Sequence, residues 1–163
     1  MSTYSKNLSA YDPDTVPDGS NMTIGIIVSE WNREITCALE QGVRETLLIH
    51  GVDPGHIITL YVPGSFELPM GGRLLLESRD PDAVILVGCV IQGETRHFEF
   101  ICQAVSQGCM SLGQEFSKPV IFGVLTTDNL EQALARAGGN LGNKGTEAAI
   151  TALKMADLAR KMG

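Results

Sequence analysis

The chain has no long hydrophobic run, no closely paired cysteines and no excess of positive charge, and each absence removes a class of function. No apolar stretch approaches the roughly 18–20 residues that a membrane-spanning helix requires. The first 21 residues contain no basic start followed by an apolar run, which argues against a secretory leader. Lysine and arginine together number 12 against 19 acidic residues, a formal net charge of −7. General binding to nucleic acid or to an anionic membrane is thereby disfavoured, while a local basic pocket for a small anion remains open. The four cysteines, at positions 37, 89, 102 and 109, never form a CxxC pair. Such spacing suits neither a disulfide framework nor a thiolate metal site, and it reads as free, buried thiols in a reducing, cytoplasmic setting. Internal repeats and low-complexity blocks are also missing.

What is present fits one globular domain. The 163 residues are 44% hydrophobic and 19% charged, enough to bury a full core without staples. Residues 1–21 are polar, carry Pro13 and Pro17, and read as a tail without a core of its own; residues 22–163 form the domain. Thr23 to Val28 is short, apolar and β-branched, a strand. From Asn32 to His50, Ile35, Leu39, Val43 and Leu47 fall at helical spacing, and Gly51 stops the helix. A strand from His56 to Val62 ends at Pro63-Gly64, and a short helix spans about Glu67 to Ser78. A third strand runs from Ala83 to Ile91. Phe98, Ile101, Val105, Cys109 and Leu112 then mark one face of a helix, and Pro119 to Leu125 is a fourth strand. Asp128 with Glu131 three residues on signals a helix start, closed near Gly138-Gly139, and a last helix spans about Gly145 to Met162. Strand and helix alternate four times with no hairpin signal. That predicts a flavodoxin-like three-layer α/β sandwich: a four-stranded parallel sheet with helices on both faces.

In such a sheet the loops after the strands gather along one edge, where open α/β folds bind ligands. The polar and aromatic oddities sit at those positions: Trp31-Asn32 after the first strand, Gly64-Ser65-Phe66-Glu67 after the second, Gln92 to His97 after the third, and Thr126-Thr127-Asp128 after the fourth. Gly93, followed by free N–H groups at a helix start, suits a phosphate or other anion. His97, one turn further, is able to move protons near neutral pH. Each residue also has a plainer reading. Trp31, the single tryptophan, would be packing or a stacking surface; Gly64 a turn; Glu67 a carboxylate complementing a helix dipole. Arg136 would be a solvated helix charge, Lys144 and Glu147 an ordinary ion pair three residues apart, and the glycines at 138, 139, 142 and 145 a loop and helix stop.

Taken in order, several motifs resemble the 6,7-dimethyl-8-ribityllumazine synthases, which catalyse the penultimate step of riboflavin biosynthesis. They are Trp31-Asn32, Pro63-Gly64-Ser65-Phe66-Glu67-Leu68-Pro69, Gly88-Cys89-Val90-Ile91-Gln92-Gly93-Glu94-Thr95-Arg96-His97-Phe98, Phe122-Gly123-Val124-Leu125-Thr126-Thr127, Glu131-Gln132-Ala133, Arg136-Ala137-Gly138 and Gly142-Asn143-Lys144-Gly145. The resemblance runs from about Ile24 to Met162. It implies a transferase that condenses 5-amino-6-(D-ribitylamino)uracil with 3,4-dihydroxy-2-butanone 4-phosphate, releasing phosphate and water, with no metal or organic cofactor. It further implies that Trp31 stacks on the pyrimidine and that Ser65, Phe66 and Glu67 hold the ribityl chain. Cys89, Val90 and Ile91 would line the uracil pocket through their backbone, with Phe122 completing it. Glu94, Thr95 and Arg136 would hold the butanone phosphate, His97 would shuttle protons, and Asn32, Lys144 and Glu147 would support these groups.

The same resemblance implies a homopentamer, with active sites between subunits, so that Phe122 and Arg136 complete a site on the adjacent chain and the tail adds a strand to a neighbour's sheet. The short connection from Arg136 to Gly145 resembles members that close into icosahedral 60-mer shells, and association with riboflavin synthase is a further expectation the family raises. Arg96, beside the shuttle, would lower the histidine's pKa or help hold phosphate. Two other readings stay on the table: a non-catalytic carrier of lumazine or flavin on the same pocket, and a protein whose main role is a structural shell.

Overall fold

Two of the chain's strands are so apolar that they fit only where both faces are covered. In β1 (Ile24–Ser29) every residue is buried, and in β3 (Ala83–Ile91) the first seven are. Continuous burial rather than alternation marks interior strands of a parallel sheet. The computed structural model, which describes residues 6–163, places them side by side at the centre, flanked by β2 (Ile57–Val62) and β4 (Val120–Thr127) in the order β2-β1-β3-β4. All three pairings are parallel, with Ile24 opposite both Ile57 and Ala83, and Ile91 opposite Thr127. The chain therefore winds one way from β1 to β2 and the other way from β3 to β4.

Alternation along the central strands sends successive side chains to opposite faces. Ile24, Ile26, Val28, Ile85 and Val87 meet α1 (Arg33–Ile49) and α5 (Lys144–Met162) through Ile35, Leu39, Val43, Leu47, Ala149 and Leu153. Ile27, Val84 and Leu86 meet α2 (Leu68–Arg79) and α3 (His97–Phe116) through Leu68, Leu75, Val105 and Leu112. Each fully buried Ile or Leu of this set contributes roughly 1.5–3 kcal/mol. The four-stranded parallel sheet with helices on both faces is thus the architecture the sequence predicts.

Local differences have physical causes. The short α4 (Leu130–Arg136) is capped by Asn129 rather than Asp128: the Asn129 side chain accepts the Gln132 N–H at 2.9 Å, and the Gln132 side chain accepts the Asp128 N–H. The glycines after Arg136 are more than a loop. They build an antiparallel hairpin of β5 (Ala137–Gly139) and β6 (Gly142–Asn143), with Gly138 and Gly142 at φ +100° and +94°. An Ala-Gly-Gly strand has almost no intrinsic β-propensity, so no strand signal marks it in the sequence. Residues 6–21 lie against the chain itself: Tyr11 reaches His50 at 3.0 Å, and Gly19 packs on Val52 and Leu153. Residues 1–5 of the tail lie outside the described residues. No helix among the described residues is long and apolar enough to cross a membrane.

The α1–α5 contact depends on close backbone approach. Asn143 caps α5 by accepting the Gly145 N–H at 2.8 Å and donates to the Ala38 carbonyl of α1 at 3.0 Å. A Cβ on Gly145 would sit 2.0 Å from the Leu39 carbonyl oxygen, a contact relieved only by moving one helix. Gly145→Ala is expected to destabilise the fold by about 2 kcal/mol or more, read as a lower midpoint in denaturant; an unchanged midpoint would contradict this packing.

Candidate active site

The change of winding direction between β1 and β3 opens a crevice at their carboxyl ends. It forms a cavity of about 680 Å³. The turn after β1 is fixed by Asn32, which adopts the left-handed conformation at φ 58° that asparagine tolerates better than most residues. Its side-chain amide donates to the Cys89 carbonyl of β3 at 2.9 Å. That bond ties the two strand ends together and leaves Trp31, 73% exposed, at the cavity's rim. Phe66, 58% exposed, stands on the opposite loop after β2. Two large aromatics left open on one cavity supply stacking surfaces for a flat ring.

Ser65 and Glu67 line the same wall. The Ser65 hydroxyl is buried and has no partner among the described residues, which leaves it for a water or a ligand hydroxyl. Cys89, Val90 and Ile91 form the floor. Burial pushes the Cys89 thiol up to about 11, so at neutral pH it is a protonated, unreactive wall rather than a nucleophile. Thr95 and His97 close the far side, the His97 N–H donating to the Thr95 hydroxyl at 3.3 Å. A Cβ on Gly93 would meet nothing within 4 Å; its missing side chain enlarges the mouth rather than relieving a clash. The backbone N–H groups of Gly93, Glu94 and Thr95 donate to no other backbone group among the described residues, and they precede the twenty-residue helix α3. An anion held there would meet unsatisfied donors and the positive end of the helix dipole.

Three of the four strand-end clusters therefore converge, and the fourth does not. Thr126 and Thr127 line a separate depression with Phe122, Arg136 and Lys144. β4 is the edge strand of the sheet, and its following helix, α4, packs through Ala133 on the α1–α5 face. Glu94 sits in the His97 loop but outside the cavity wall. Arg136 bonds Glu147 at 2.7 Å and the Leu141 carbonyl at 2.8 Å, and Lys144 reaches the other Glu147 oxygen at 3.4 Å. Two lining residues were missed as site residues: Phe98 and Ile101, assigned to the core face of α3. Ile101 lies four residues after His97 and so shares its face, a signal the periodicity carried. All four cysteines are free, but Cys37 is exposed and Cys102 half-buried, where burial was expected of each.

The fold and site define an α/β protein with a ligand cleft at the carboxyl edge of a parallel sheet, walled by open aromatics, unpaired polar groups and one histidine. Comparison with known proteins narrows the class. The family model for 6,7-dimethyl-8-ribityllumazine synthase matches residues 21–160. A protein of that name from Cytophaga hutchinsonii is 58% identical over 155 residues, covering 95% of this chain and 97% of its own. Those from Porphyromonas gingivalis and Parabacteroides distasonis are 54% and 50% identical, each covering 98% of this chain and 99% of its own. The chain belongs to the 6,7-dimethyl-8-ribityllumazine synthase family.

Burial makes a prediction about the thiols. Cys89 and Cys109 are both held near 11 against an ordinary value of 9.0. Because the folded values are raised, their contribution to stability is present below pH 9 and is lost as pH rises towards 11. Alkylation of the native protein at pH 8 should label Cys37 and spare Cys89 and Cys109; equal labelling of the three would contradict the buried floor.

Proposed function

We propose that the cavity condenses 5-amino-6-(D-ribitylamino)uracil with 3,4-dihydroxy-2-butanone 4-phosphate to 6,7-dimethyl-8-ribityllumazine. The observation that carries this reading is the gathering of Trp31, Ser65, Phe66, Glu67, the Cys89–Ile91 strand end and His97 around one cavity in a chain of this family. The pyrimidine stacks on Trp31 and presents its polar edge to the backbone of Cys89, Val90 and Ile91. Its ribityl hydroxyls meet Phe66, the unpartnered Ser65 hydroxyl and the Glu67 carboxylate. The phosphate of the second substrate lies over the N–H groups at Gly93 to Thr95.

The pyrimidine's 5-amino nitrogen attacks the ketone carbonyl and, after loss of water, forms an imine. Removal of a proton from the carbon chain expels the phosphate as the C–O bond breaks. The enol left by that elimination takes up a proton at its terminal carbon and becomes a new ketone; the ribityl-bearing nitrogen attacks this carbonyl, and a second loss of water closes the ring. His97 takes and returns these protons at the cavity wall, a role worth roughly 10²–10⁴-fold. Holding the two small substrates together supplies much of the remainder. A carrier would need the ring pocket and neither His97 nor Arg136; both are present.

The site is completed by a second copy of the chain. Arg136 and Phe122 line a depression of their own, and against a neighbour's cavity they would add a phosphate clamp and a wall for the ring. The exposed Trp31 and Phe66, unusual on an isolated surface, gain cover in the same step. On this reading the protein is a cytoplasmic homopentamer, its residue 22–163 domain flanked by a tail that meets a neighbour. The short connection between Arg136 and Gly145 favours closure into a 60-mer shell.

Two variants test the assignment. His97→Ala should lower kcat roughly a hundredfold or more with the oligomer's mass unchanged. Arg136→Ala should raise KM for the butanone phosphate roughly tenfold or more while KM for the pyrimidine moves little. Full activity in His97→Ala would remove the proton-shuttle role.

A further inference from the structure

We infer that Ser9 is a positioning residue for Arg136: residues 7–9 form a strap that holds both acceptors of the guanidinium and so sets which of its donors remain for phosphate. The inference rests on the reading of Arg136 as a phosphate clamp.

Arg136 has five N–H donors. Nη1 donates to the Leu141 carbonyl at 2.8 Å and Nη2 to Glu147 Oε1 at 2.7 Å. The strap binds both of these acceptors as well. The Leu8 N–H donates to the same Leu141 carbonyl at 3.1 Å, and the Ser9 hydroxyl lies 3.0 Å from the same Glu147 Oε1. Ser9 Oγ also accepts the Asn143 N–H at 2.7 Å. Its single proton has two acceptors in reach, Glu147 Oε1 and the Asn143 carbonyl at 2.9 Å, and the charged one makes the stronger bond.

The hairpin is shaped to admit the strap. Gly142 sits at φ +94°, and a Cβ there would lie 2.4 Å from both Asn7 Oδ1 and Ser9 Oγ. The Asn7 side chain in turn accepts the Ser9 N–H at 2.9 Å, fixing the turn that aims the hydroxyl. Leu8 and Arg136 line the same depression.

A carboxylate beside an anion site competes with the anion for the arginine and repels it. With Ser9 on Oε1 and Lys144 on Oε2, Glu147 is held to one Arg136 nitrogen and part of its charge is absorbed. Without the hydroxyl, Glu147 is free to rotate onto a second guanidinium nitrogen, closing donors that phosphate would use.

The test compares the full-length parent with Ser9→Ala, Ser9→Thr and Arg136→Ala, measuring kcat, KM for each substrate, and the inhibition constant of inorganic phosphate. Ser9→Ala should raise KM for the butanone phosphate and the phosphate inhibition constant roughly three- to tenfold, the weight of one ordinary hydrogen bond. KM for the pyrimidine should hold, and Ser9→Thr, which keeps the hydroxyl, should restore parent values. If Arg136→Ala shifts the phosphate values and Ser9→Ala does not, the strap inference is overturned while the clamp stands. If Arg136→Ala leaves them unmoved, the clamp reading itself fails. Equal loss in kcat and both KM values, with a lower melting temperature and no recovery in Ser9→Thr, would make Ser9 structural only and overturn the proposal.

Discussion

Burial of β1 and β3 on both faces is the constraint from which the rest of the molecule follows. Two neighbouring strands without a solvent face require helices above and below, and parallel pairing requires each connection to cross over one of those faces. Because β1 leads outward to β2 and β3 leads outward to β4, the connections after the two central strands diverge. The gap that this divergence leaves at the carboxyl end is the cavity. No residue of the site has to create it; the side chains only line it.

The lining is held by few, well-placed bonds. The Asn32 amide on the Cys89 carbonyl joins the two strand ends whose separation opens the cleft and ties the Trp31 turn to the pocket floor. The floor stays chemically quiet because its thiol is buried. His97 stands at the first turn of α3 in the cavity wall, where the proposed reading places proton transfer. An unpartnered Ser65 hydroxyl and unbonded loop amides remain where the proposed substrates place hydroxyls and phosphate. These features belong to a site organised before ligand arrives.

Most of the frame was legible because hydrophobic periodicity reports burial directly. β3 spans the residues expected, β2 starts one residue later than expected, and β1 and α1 differ from expectation by one residue at each end. What escaped was decided by contacts remote in sequence. The β5–β6 hairpin is made of glycines whose positive φ and close approach to residues 7–9 hold a ladder that composition does not announce. Asn129 displaced Asp128 as the cap through a one-residue shift that both side chains permit. Thr126 and Thr127 line the second depression at the end of the edge strand β4, and strand order is not written in any single strand. Phe98 and Ile101 were assigned to the core because a helix face that lines a cavity is as apolar as one that packs.

The central claim is that the His97 cavity and the Arg136 depression, separate on one chain, are halves of one site formed by two chains. It is tested most directly by assembling His97→Ala and Arg136→Ala subunits together from a denatured mixture and assaying lumazine formation. The account predicts that, with the butanone phosphate well below the KM of the Arg136 variant, the mixed assembly exceeds the average activity of the two separate variants, since some contacts pair an intact His97 cavity with an intact Arg136. Activity no greater than the average of the two separate variants would contradict it, and would place the whole site within a single chain.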